Sequence, residues 1–109
     1  MSVGMFATTE VTITQNDFPM SGKSFTKDGV TVSAGNIDGV GNINGPGSFS
    51  TTLGNFTKIE VTTDGWYASG TGWSGSTWTG NASSVSFSGE IMGYGGDNLK
   101  FVFTIEPTN

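Results

Sequence analysis

Four aromatic residues, Trp66, Tyr67, Trp73 and Trp78, fall within thirteen positions of the segment GWYASGTGWSGSTWTG, and no charged residue interrupts them. Flat aromatic faces pack against the C–H faces of sugar rings, while neighbouring hydroxyl and amide groups exchange hydrogen bonds with the sugar hydroxyls. A rigid surface of this kind loses little entropy on binding. Trp73 and Trp78 are five residues apart, so on one straight strand they would point to opposite faces. A two-residue turn at Gly75-Ser76 instead pairs Ser74 with Thr77 and sets Trp73 directly across from Trp78, and Gly in the first central position suits a type II′ turn. The expectation is an exposed indole pair on one sheet face, with Trp66, Tyr67, Trp73 and Trp78 as ligand-binding residues. The competing expectation is that the indoles close the core, because Trp is highly buried on average.

Other constellations are weaker. Asn36, Asp38, Asn42 and Asn44 offer oxygen ligands in a Gly-rich stretch, and Asp97-Asn98 follow Gly95-Gly96 in another. Hard cations take such ligands, yet the first stretch has one carboxylate and lacks the spaced carboxylates of a calcium loop, so ordinary turns are expected and no metal is required. Glu60 and Glu90 could nominally flank a glycosidic bond, but nothing in their spacing brings them together, and solvent-facing strand positions are expected. Asn55-Phe56-Thr57 and Asn81-Ala82-Ser83 match the glycosylation sequon, as a chain with 29 Ser and Thr will do by chance. Cys, His and Arg are absent. That excludes His-dependent nucleophilic triads, thiolate or imidazole zinc sites, disulfides and redox motifs. A net charge of -5 with only four Lys also makes nucleic acid and anionic membrane poor partners.

The elements that must position these residues are short strands. Gly, Ser, Thr and Asn make up 55 of the 109 residues and surround apolar-alternating runs, the pattern of many strands joined by tight turns. No window has sustained helical periodicity, and 18 glycines oppose a long helix. Thr8 to Thr14 reads as a half-buried strand with Val11 and Ile13 inward. Lys23–Lys27 and Val30–Ala34 flank Asp28-Gly29, a strong hairpin signal that pairs Lys27 with Val30 and Phe25 with Val32. Lys27 then lies on the apolar face, with its ammonium expected to reach solvent. Gly35 to Gly47 reads as a long connection. Further strands are expected at Ser48–Thr52, Phe56–Thr63, Ser83–Glu90 and Leu99–Ile105, the last being the most apolar and placed centrally.

With no helix to cover a sheet face, these runs imply one domain over residues 8–107, after a flexible start at 1–7, built as an all-β, two-sheet antiparallel β-sandwich. A jelly-roll-like topology is preferred to an immunoglobulin-like one, and an up-and-down barrel is the competitor. Leu, Ile, Val and Phe total 24 of 109 residues, little above the roughly 20% below which disorder is the default. No run reaches the length of a membrane span, and the start MSVGMFATTE lacks the pattern of a signal peptide.

The stretch GNFTKIEVTTDGW…GWSGSTWTGNASSVSFSGEIMG…LKFVFTIEP resembles small β-sandwich modules of bacterial secreted and cell-surface proteins, including those appended to adhesins and to glycan-degrading enzymes. The resemblance implies a non-catalytic, carbohydrate-binding-module-like domain, a monomeric part of a larger extracellular or cell-surface protein, with Trp66, Trp73 and Trp78 at positions of the kind that contact glycan. The functional expectation is therefore binding of a glycan or polysaccharide. The alternative is a structural spacer domain, as in adhesin repeats, with no small ligand.

Overall fold

A computed structural model of the chain describes residues 7–94 and 99–107, which form an all-β antiparallel sandwich. Eleven strands are present among the described residues: β1 (Thr9–Thr14), β2 (Ser21–Lys27), β3 (Val30–Asp38), β4 (Ile43–Asn44), β5 (Gly47–Thr51), β6 (Asn55–Thr62), β7 (Gly65–Ser69), β8 (Trp73–Ser74), β9 (Thr77–Ala82), β10 (Ser84–Met92) and β11 (Lys100–Glu106). One sheet has the order β1-β11-β6-β9-β8. In the other, β2 pairs β3, β3 pairs both β4 and β5, these two pair β10, and β7 lies beyond β10. β11 is central, between β1 and β6, as its apolar content requires.

The period-2 pattern decides which face each residue takes. Inward go Val11, Ile13, Val30, Val32, Phe49, Ile59, Val61, Val85, Phe87, Phe101, Phe103 and Ile105, all buried. Aromatic contacts tie the two sheets together: the ring of Phe49 lies 5.3 Å from Phe103 and 5.7 Å from Phe101, centroid to centroid. Among the described residues no polar or charged side chain is buried.

The β2–β3 hairpin has the expected register, Lys27 with Val30 and Phe25 with Val32. Both turn residues have positive φ, Asp28 at 50° and Gly29 at 85°, as a type I′ turn demands. The stretch 35–47 is not the long connection its composition suggests. β3 runs on to Asp38, β4 starts at Ile43, and β5 follows a cis Gly45-Pro46 bond. Ile37 and Ile43 sit opposite each other and are fully buried, so burial of that pair carries the strands into a Gly-rich sequence.

Lys27 keeps part of its side chain in solvent, 35% exposed, and its ammonium is also paired. Its ammonium donates to the Thr12 carbonyl at 2.8 Å and to Asp17 at 3.0 Å. A short 3-10 turn, Gln15–Asp17, delivers that carboxylate, which also accepts from the Thr14 N–H. The Lys27 amine thus occupies a carbonyl on the free edge of β1 and links the two sheets on that flank. Phe18, 4.8 Å from Phe25, packs beneath the link.

Two predictions follow from this geometry. A Cβ on Gly29 would lie 2.7 Å from the Leu53 side chain, at a φ that β-branched residues avoid. Gly29→Val should therefore lower stability by more than about 1 kcal/mol in urea unfolding; an unchanged midpoint would remove the turn's role. Partial burial alone would raise the Asp17 carboxyl, but the Thr14 N–H and the Lys27 ammonium outweigh it and hold the group below its ordinary value. Its contribution to stability is complete above the unfolded value, about 3.9, and is lost as pH falls through the folded one. Thermal melts between pH 6 and pH 2 should fall more steeply in the acid limb for the native chain than for Asp17→Asn, and parallel curves would contradict the assignment.

Candidate functional site

The indole hairpin forms in the expected register, Trp73 opposite Trp78 and Ser74 opposite Thr77. Gly75 takes φ 58° while Ser76 does not have a positive φ, as a type II′ turn requires. The face is the reverse of an exposed platform. Trp78 is only 6% exposed, sits opposite the buried Ile59, and belongs to the core. Its indole lies between Gly72 and Gly80; a Cβ on Gly80 would come within 2.6 Å of the ring, so the small residues of this segment leave space for the indole. Trp73 is half-buried, 5.0 Å from Trp66 and 6.3 Å from Phe49, and its Nε1 donates to the Ser86 carbonyl at 3.1 Å. Trp66 is half-buried opposite Ile91, with a buried Nε1 that has no hydrogen-bond partner. Cross-strand pairing puts paired residues on one face, and here that is the apolar one, where Trp78 joins the core and Trp73 packs against it.

Of the four expected site residues, Trp78 is buried, Trp66 and Trp73 are half-buried against each other, and Tyr67 is the most displayed, at 63% exposure. It has a partner that the spacing of the Trp-rich segment could not reveal. Tyr94, 60% exposed, places its hydroxyl 3.1 Å from that of Tyr67. Its backbone has φ 57°, a conformation that costs a non-Gly residue, and its ring lies over Gly65, where a Cβ would come within 2.7 Å of it. The sequence signal was the bare Gly65 two residues before Tyr67 on the same strand face.

The register extends this pair into a row. Tyr67 on β7 lies opposite Glu90 on β10, Glu90 opposite Asn44 on β4, and Asn44 opposite Asn36 on β3. Directly opposed Cβ atoms are about 4.5–5.5 Å apart, so two phenols, a carboxylate and two amides share one strip of the outer face. The hydrogen bond with Tyr67, then desolvation and the nearby negative charge of the partner phenol and Glu90, hold the Tyr94 hydroxyl above its ordinary pKa. It stays protonated at neutral pH and can donate.

Next to this row, Ser88 and Ser69 oppose each other, and Ser86 and Ser84 continue along β10 on the same face. Here β7 ends, so β10 between Ser84 and Phe87 has a strand on one side only. The open side forms a groove of about 530 Å³ lined by Gly70, Thr71, Trp78 and Ser84 to Ser88, within the roughly 300–1,000 Å³ of small-molecule sites. None of the lining residues is charged. The outer face of the other sheet differs, carrying Glu10, Lys58, Glu60 and Lys100.

The remaining candidates are dispersed. Glu60 and Glu90 lie on opposite outer faces of the sandwich, so they cannot flank one bond as a glycosidase pair must. Asp38 accepts from the Val40 and Asn42 N–H groups and from the Asn42 amide, while the Asn42 carbonyl oxygen accepts from the Gly93 N–H. Asn36 and Asn44 lie on the outer face instead of converging on Asp38, so the four do not make one cage. Among the described residues no group of three or more carboxylates is placed to hold a metal ion. The Asp97-Asn98 candidate lies outside the described residues. No helix among the described residues is long and apolar enough to cross a membrane. Compared with known proteins, the chain matches no protein-family model, no curated protein and no solved structure.

Truncating an indole in this position leaves a cavity that the sheets cannot close. Trp78→Ala should cost about 3–5 kcal/mol in urea unfolding. A loss below about 1 kcal/mol would show that the indole is not part of the core.

Proposed function

We propose that this chain is a non-catalytic glycan-binding module whose contact surface is the Tyr67–Tyr94 pair with Glu90 and Asn44 beside it. The observation that carries the reading is the phenol pair: two large aromatic rings held in a fixed relation on an otherwise hydrophilic face. Their ring faces offer apolar area to sugar C–H groups, and the phenols, the Glu90 carboxylate and the Asn44 amide supply donors and acceptors for hydroxyls. The positive φ of Tyr94, a conformation that costs a non-Gly residue, fits a functional position. Such ligands are met outside the cell, and this reading places the chain there, as a part of a secreted or surface protein.

A second reading, a spacer domain without a ligand, is favoured by the packing of Trp78 in the core and of Trp66 and Trp73 against it.

Affinity electrophoresis through gels containing soluble polysaccharides separates the two. The native chain should be retarded by at least one polysaccharide. Tyr67→Ala and Tyr94→Gly should lose that retardation with melting within about 0.5 kcal/mol of native, since both rings are exposed. Lack of retardation across a broad polysaccharide panel would leave the spacer reading.

A further inference from the structure

The groove at the open side of β10 and the tyrosine row are not separate features. Residues of one parity on β10 share a face, so Ser84, Ser86, Ser88 and Glu90 form one line, and the pairing with β4, β5 and β7 runs through it without a register shift. Ser88 belongs to both features: it lines the groove and stands next to Glu90 on the outer face. From Glu90 to Ser84 the line spans six residues at about 3.4 Å each, about 20 Å, far longer than one sugar ring.

The chemistry along the line is uniform. The groove end presents the hydroxyls of Ser84, Ser86, Ser88 and Thr71 over a floor that includes Trp78, with no charged lining residue. The Ser86 carbonyl is taken by Trp73 Nε1, which satisfies it beside the groove. The other end carries a carboxylate, Glu90, and no cation. A negatively charged sugar would meet Glu90 and find no Lys or Arg in either part. A short ligand would use only the tyrosine end.

We propose, resting on the glycan-binding reading above, that the tyrosine row and the β10 groove are two parts of one path that takes an extended stretch of an uncharged polysaccharide chain, laid along β10 from Tyr67 and Tyr94 toward Ser84. The groove hydroxyls contribute only when the ligand is long enough to reach them.

The test is calorimetric titration of the full chain with a size ladder of neutral oligosaccharides from whichever polysaccharide retards it, together with polygalacturonate as the acidic probe. Affinity should rise with chain length and then level off, and polygalacturonate should not bind. Ser86→Glu and, independently, Thr71→Glu place charge at the exposed groove end, away from the tyrosines. Each should weaken the longest oligosaccharide about tenfold, the size of one or two lost hydrogen bonds, and leave the shortest unchanged. Length-independent affinity, equal effects on short and long ligands, or tighter binding of polygalacturonate would each overturn the continuous neutral path while leaving glycan binding intact. Absence of binding to every polysaccharide would overturn both.

Discussion

Two sheets of unequal outline leave a flank where β10 has no strand on its β7 side from Ser84 to Phe87, and the indoles of Trp73 and Trp78 pack against the apolar interior there. The chain is poor in Leu and Ile, with two and six of them in 109 residues. Indoles bury more area per residue than aliphatic side chains, and Trp73 adds a hydrogen bond that satisfies the carbonyl exposed by the missing strand. The glycines around Trp78 follow from the same need, because side chains at Gly72 or Gly80 would occupy the volume of the ring. The opposite flank is closed by other means, with Lys27 reaching from β2 to Asp17 and to the free edge carbonyl of Thr12 above the Phe18–Phe25 contact. A charge placed at an edge in this way also blunts strand pairing with other chains.

Burial of Trp78 and half-burial of Trp66 and Trp73 change which aromatics are most open to a ligand. Tyr67 and Tyr94 remain, and they stand out because the six-stranded sheet otherwise shows solvent mainly Ser, Thr and Asn. The phenol contact and the packing of the Tyr94 ring over Gly65 fix two side chains that would each sample several rotamers alone. A pre-set pair loses less freedom when a ligand arrives. The two outer faces are chemically distinct: one carries a mixed set of charges, including the Lys58–Glu60 ion pair at 3.5 Å, and the other is nearly neutral. Exposed ion pairs contribute little to stability, so the charged face keeps the domain hydrated and the neutral face is the one suited to sugar hydroxyls.

The sequence alone determined the architecture to a large degree. Period-2 runs, Asp28-Gly29 and Gly75-Ser76 encode strand positions, two hairpin registers and the central place of β11, because side-chain alternation and turn chemistry act over a few residues. The Gly35–Gly47 stretch reads locally as a connection yet forms strands for an equally physical reason: the pairing of Ile37 with Ile43, and of β4 with β10, is a tertiary gain that overrides a weak local preference. Which face the Trp73–Trp78 pair takes was decided by the tertiary structure, since register equates the two residues but only the neighbouring sheet supplies an apolar side. Tyr94 joins Tyr67 across 27 residues, and Glu90, Asn44 and Asn36 join them across three further strands. No local pattern reports such contacts, because they exist only once several strands are laid side by side in one register.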